Sequence, residues 1–133
     1  MRFLAPYQGI ILSFVRIASA YMFMLHGLAK AFGFPMAMGE GPLDWASMEG
    51  VAAILELVGG GLLVLGLFTR PVAFILSGQM AVAYFMVHAK SALFFPLVNH
   101  GESAAMFSLI FLYFTAAGGG SLSLDRAISR YDD

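Results

Sequence analysis

Few residues of this chain can take part in chemistry, and most of them lie near the ends of long apolar segments. Imidazole and carboxyl groups bind and move protons near neutral pH, and ammonium and amide groups donate hydrogen bonds to a bound molecule. If the apolar segments are helices, their ends would bring these groups together. The sequence therefore predicts one ligand-binding cluster without an identifiable catalytic residue, formed by His26, Lys30, Glu56, Asn99, His100 and Glu102.

Arg16 and Glu56 each interrupt an apolar run. A charge at the centre of a membrane costs about 2.5 to 3.5 kcal/mol on insertion scales, so it normally faces other helices and finds a partner. Two interpretations stay open. Arg16 and Glu56 pair to fix the register of their helices, or Glu56 binds a polar ligand and handles protons, with Arg16 or His26 as its counter-charge. Arg16 and Glu56 each lie about 9 Å inside opposite membrane faces, which brings His26 closer to the level of Glu56.

A metal site is not predicted. The three histidines, His26, His88 and His100, and the nearby glutamates have the nitrogen and oxygen atoms that bind Zn, Cu or Fe. No two of them have the i, i+4 spacing that places two ligands on one helical face, and no motif indicates a haem. The chain has no cysteine. Disulfides, thiolate metal sites and CxxC redox pairs are therefore excluded.

The elements that must position these residues are apolar helices. The chain has 133 residues, of which 60% are hydrophobic and 11% charged, whereas a soluble domain carries about a quarter charged residues. A bilayer crossing needs about 20 apolar residues. We therefore expect an all-α, integral membrane bundle of four transmembrane helices in a single domain, 1–133, with the first helix retained in the mature protein. The predicted helices are 10–29, 51–68, 71–87 and 103–122.

Charge predicts the orientation and one class of partner. Arg2, Arg70, Arg126 and Arg130 fall on one side of the four-helix arrangement, and Lys30 and Lys90 on the other. Because cytoplasmic loops carry more Lys and Arg, both termini are predicted to lie in the cytoplasm. The net charge is -1, and the basic residues are scattered. The sequence therefore predicts the lipid bilayer as a partner and excludes nucleic acid.

Taken together, the polar residues resemble those of the DoxX family of small bacterial membrane proteins. The resemblance covers nearly the whole chain. It lies in Arg16, His26-Gly27-x-x-Lys30, Glu56-x-x-Gly59-Gly60, Gly66-Leu67-Phe68-Thr69-Arg70, Pro96-x-x-Asn99-His100-Gly101-Glu102 and Gly118-Gly119-Gly120-x-Leu122-Ser123-Leu124-Asp125.

The resemblance implies a four-helix bundle in the bacterial cytoplasmic (inner) membrane and a link to redox enzymes that use quinones. Three functions stay open. The protein is a redox-associated subunit that binds quinone, lipid or a partner oxidoreductase; it is an accessory or assembly subunit without a ligand; or it is a small transporter. Four helices leave little room for a pore in one copy, so transport would require a homo-oligomer. Quinone is the cofactor that the resemblance suggests, and partner subunits in the membrane are expected.

Overall fold

The computed structural model describes residues 1–129, all of whose regular structure is helical, which confirms the predicted all-α class. Arg130, which was counted in the prediction of orientation, lies outside the described residues. A 3₁₀ helix, Arg2–Tyr7, leads into the first long helix. The α-helical elements are α1 (Gln8–Phe32), α2 (Met48–Leu65), α3 (Thr69–His88), α4 (Pro96–Asn99), α5 (Glu102–Ala117) and α6 (Leu124–Ser129).

In the part of the chain that the structure describes, three helices have the length and apolar composition of a membrane span: α1 with the preceding turn, α2 and α3. The fourth apolar helix, α5, has 16 residues, or about 24 Å. It was predicted to continue to residue 122 but ends at Ala117, because Gly118 takes a φ of 79° that a right-handed helix cannot contain. The following residues form a loop folded against the bundle.

The helices pack mainly in two pairs, α1 along α2 and α3 along α5. Between α3 and α5, Ser77 and Ser108 each donate a hydrogen bond from the hydroxyl to the other residue's carbonyl, at 2.8 and 3.0 Å. These reciprocal bonds satisfy both hydroxyls within the apolar interface. The core joins the pairs through Ala20, Phe23, Leu63, Ala73, Leu76, Met80, Phe111 and Phe114. In contrast, α1 and α5 touch over a short length only.

Two features of the backbone position Glu56. A Cβ atom on Gly27 would lie 2.9 Å from the Cβ of Glu56, so the missing side chain lets α1 and α2 approach closely at this level. Glu56 also lies in a π-helical turn within α2, Leu55–Gly59. A second π-helical turn ends α3, Tyr84–His88. Such wide turns often occur at functional sites, because they redirect side chains that a regular helix would place elsewhere.

Candidate ligand-binding site

A buried ion pair lies between α1 and α2. Lys30 Nζ donates a hydrogen bond to Glu56 Oε1 at 2.8 Å. Glu56 is only 2% exposed, whereas the Lys30 side chain is partly exposed at the end of its helix. The second carboxylate oxygen, Glu56 Oε2, has no hydrogen-bond partner among the described residues. A buried carboxylate oxygen is normally hydrogen-bonded, so Oε2 has a capacity to accept a hydrogen bond that the described residues do not fill.

The ion pair forms part of the wall of a cavity of about 330 Å³ at the end of the bundle where the three histidines lie, which we call the histidine end. The volume is at the lower end of the range for small-molecule sites. Aromatic rings and methionines form the apolar part of the wall, and ionisable side chains form the polar part. The cavity is lined by Phe23, His26, Lys30, Met38, Glu56, Met80, Ala83, His88, His100, Ser103, Ala104 and Phe107.

Two of the histidines are held with a defined proton position. His26 Nδ1 lies 3.0 Å from the carbonyl oxygen of Met22, and His88 Nδ1 lies 3.1 Å from that of Asn99. Because a carbonyl oxygen can only accept, each Nδ1 carries a proton and donates it. The neutral ring then keeps Nε2 as an acceptor. The cavity wall therefore offers a carboxylate oxygen and two imidazole nitrogens as acceptors.

Four of the six predicted ligand-binding residues line this cavity, namely His26, Lys30, Glu56 and His100. Asn99 does not. Its side-chain nitrogen donates to the Tyr84 hydroxyl and the Ala92 carbonyl, and its Oδ1 accepts from the Gly101 amide. Asn99 therefore organises the loop before α5 and lies outside the cavity wall. Glu102 is also outside the cavity and lines a separate cleft.

His88 was absent from the predicted ligand set, although it lines the cavity. The sequence did contain a signal for His88. It lies at the end of α3 that is on the same side of the bundle as the other two histidines. The aromatic walls, Phe23 and Phe107, were also missed. Thirteen phenylalanines in an apolar chain cannot be told apart by spacing alone. Among the described residues, no three His, Asp or Glu side chains come close enough to bind one metal ion.

Arg16 does not contact Glu56, so the alternative in which these two residues pair is wrong. The partner of Glu56 is Lys30. Lys30 lies fourteen residues, or about 21 Å, beyond Arg16 along α1. The Arg16 guanidinium donates instead to the carbonyls of Val64, Leu122 and Gly119, the first two at 3.3 and 2.8 Å. It is 1% exposed. Arg16 thereby joins α1 to the end of α2 and to the loop after α5.

The surrounding residues make further connections at this end, which we call the glycine end after Gly118–Gly120. Gly66 ends α2 three residues before the predicted boundary, with φ 70°. A Cβ atom there would lie 2.7 Å from Arg16 Nη1. Ser13 Oγ accepts from the Leu122 amide at 2.9 Å, and the Arg70 guanidinium donates to the carbonyls of Thr115 and Ala116. The polar groups of this end therefore hold the helix termini together.

Asp125 caps the start of α3. Its carboxylate accepts from the amides of Phe68 and Thr69 at 2.7 and 2.9 Å. Both amides belong to the first turn of the helix, which has no partners of its own. Phe68 also has a φ of 50°, an uncommon conformation for a residue with a side chain. The carboxylate stabilises this turn together with the helix that follows.

Replacing Asp125 with alanine is expected to lower the free energy of unfolding by about 1 to 3 kcal/mol, because two hydrogen bonds to a charged acceptor are lost. Asp125→Asn keeps an acceptor oxygen and should lose less. Unfolding of both variants in detergent, followed by circular dichroism, measures the difference. Equal stability of Asp125→Ala and the parent would show that water replaces the carboxylate.

Comparison with known proteins gives two matches and one absence. The sequence profile of the DoxX family matches residues 11–89. A protein of Haemophilus influenzae Rd, described as uncharacterized, is 50% identical over 130 residues, which cover 95% of this chain and 96% of the relative. No solved structure matches. The matched residues include both members of the ion pair, and also Phe23, His26 and His88, which are three of the five aromatic and imidazole side chains that line the cavity.

Proposed function

The chain belongs to the DoxX family of multi-pass membrane proteins, and we propose that it binds a quinone ring in the cavity at the histidine end as a subunit associated with a membrane oxidoreductase. The observation that supports this most directly is the buried, unpartnered Oε2 of Glu56, a residue that lines the cavity. In this position the carboxylate accepts a hydrogen bond from a hydroxyl of the reduced ring, the quinol.

The remaining wall suits the same ligand. Phe23 and Phe107 supply aromatic surfaces against which a flat ring can pack. The imidazole Nε2 atoms of His26 and His88 are acceptors for the second hydroxyl. Quinol has two hydroxyl donors for these three acceptors, whereas the acceptor oxygens of quinone would depend on the Lys30 ammonium, which already donates to Glu56, so this wall favours the reduced form. A neutral imidazole is also suited to receiving a proton when a quinol is oxidised.

The proposal places this end at the outer face of the bacterial inner membrane. Arg70 and Arg126 lie at the glycine end and Arg2 precedes the start of α1 at the same end, whereas only Lys30 and Lys90 belong to the histidine end of their segments. The excess of arginine supports a cytoplasmic glycine end with both termini inside. In this arrangement α5 is the fourth span, extended to the interface by the loops at its two ends. In this proposal the redox partner is a second membrane subunit, which takes the electrons released when the quinol is oxidised.

A binding measurement with a Glu56 variant tests the proposal. We expect purified protein in detergent to bind tetramethylhydroquinone, measured by calorimetry under nitrogen, and to bind the oxidised ring more weakly. Glu56→Gln should weaken quinol binding by about tenfold or more, since a hydrogen bond to a carboxylate is replaced by one to a neutral amide.

Glu49→Gln is the matched control. It removes an exposed carboxylate from the first turn of the same helix, and its affinity for quinol should equal that of the parent. If the parent binds no ring, or if Glu56→Gln binds as tightly as the parent, the proposed site is wrong. A folded protein that is recovered with partner subunits but never binds a ring would instead be an accessory subunit.

A further inference from the structure

A second recess lies beside the cavity, between α1 and α5. Because these two helices touch over a short length only, a cleft of about 320 Å³ separates them on the lipid-facing side. Its walls include Met22 from α1, and Met106 and Ile110 from α5. Ser19 also lines the cleft, but its hydroxyl already donates to the Val15 carbonyl at 2.6 Å. Glu102 and Ser103, in the first turn of α5, line one end of the cleft. The rest of its surface is apolar.

The cleft and the cavity share part of their walls. Ser103 and Phe107 line both. The Phe107 ring lies edge-on to His26 and to Phe23, with ring centroids 5.8 and 5.3 Å away. It therefore forms the partition between a polar recess on one side and an apolar recess on the other.

We propose that the cleft binds the hydrocarbon chain of an amphiphilic ligand whose polar ring occupies the cavity. This inference rests on the proposed function and specifies its ligand class: a ring carrying a long alkyl or isoprenoid chain. The ring meets Glu56 and the histidines, and the chain passes Phe107 and runs between Met22 and Met106 into the lipid. Entry is then lateral, from the bilayer, and a ligand dissolved in the membrane reaches the carboxylate without crossing water.

The arrangement predicts a modest effect of the ligand's hydrocarbon chain on the binding affinity. Lipid tails are as apolar as the cleft, so a chain that leaves the lipid gains packing contacts and no hydrophobic free energy. A ten-carbon chain on the quinol ring should therefore improve the affinity by about fivefold over the chainless ring, once both affinities are corrected for partition into detergent.

Met106→Trp tests whether the hydrocarbon chain of the ligand lies in the cleft. Met106 is 64% exposed, so a larger side chain can fill the cleft without entering the core. We expect this variant to bind the chainless tetramethylhydroquinone as the parent does and to lose the fivefold gain from the chain. Leu112→Trp adds the same bulk on the same helix at a residue that is 53% exposed and lines neither recess. This control should keep the gain.

The two compounds separate the outcomes. If the parent binds the chainless ring but the chain gives no gain, or if Met106→Trp keeps the gain, the chain lies elsewhere and this inference falls while the proposed function stands. If neither compound binds the parent, both are wrong. A diazirine at the end of the chain gives an independent readout, because photolysis should label Met22 or Met106. Labelling confined to other residues would overturn the assignment.

Discussion

Replacing Arg16 with leucine is expected to lower the free energy of unfolding by about 3 to 5 kcal/mol. The guanidinium donates to carbonyls of Val64, Gly119 and Leu122. Leucine leaves those carbonyls without their donor at a position where the replaced side chain is 1% exposed. Leucine also removes the free-energy cost of burying a charge, but this gain offsets only part of the penalty.

Lysine at this position should not restore the stability. Its ammonium group is a compact charge, whereas the planar guanidinium reaches carbonyls on two separate segments at once. Reversible unfolding in mixed micelles, followed by circular dichroism, compares Arg16→Leu, Arg16→Lys and the parent. Arg2→Gln is the control, because Arg2 is an exposed residue of the N-terminal turn. A variant Arg16→Lys as stable as the parent would mean that charge alone, and not the forked geometry, holds the glycine end.

The second large effect is expected at the ion pair. Lys30→Met should lower the free energy of unfolding by about 3 kcal/mol, because it leaves the Glu56 carboxylate buried without its counter-charge. Glu56→Leu combined with Lys30→Met removes both charges and should recover most of that loss. The same unfolding measurement applied to the two single variants and the double variant gives the interaction energy of the pair.

The double variant also separates stability from function. If the pair exists to support a ligand site, the doubly apolar protein folds well but binds no quinol, since the unpartnered Oε2 is gone. If the pair serves only to hold α1 against α2, the double variant should lose stability and the parent should show no quinol affinity. Additive effects of the two single substitutions would contradict the contact between Lys30 and Glu56 itself.

The two ends of the bundle thus use their charges differently. At the glycine end, Arg16, Arg70 and Asp125 direct their polar atoms to backbone groups of other segments. At the histidine end, Glu56 Oε2 is left unpartnered, and the Nε2 atoms of His26 and His88 remain acceptors in a cavity wall. This difference explains why charged residues of similar appearance in the sequence serve a structural role at one end and form a candidate ligand site at the other.

The sequence by itself determined the helical class, the approximate position of each apolar helix and the membership of the family. These properties are local: the length of an apolar run and the spacing of glycine, histidine and charged residues can be read along the chain. It also predicted that Glu56, His26, Lys30 and His100 belong together, because their segments end on the same side. The predicted ends of α2 and α5, at residues 68 and 122, were less accurate. The helices end at Leu65 and Ala117, because Gly66 and Gly118 stop them before the apolar runs end.

Only the tertiary structure decided which of the polar groups meet. The rotation of each helix about its axis paired Glu56 with Lys30 and directed Arg16 to carbonyls at the far end. The loop before α5 used Asn99 for its own hydrogen bonds, and the separation of α1 from α5 placed Phe107 between the cavity and the cleft. These outcomes depend on contacts between residues far apart in the chain, and neither the length nor the hydrophobicity of a segment specifies such contacts.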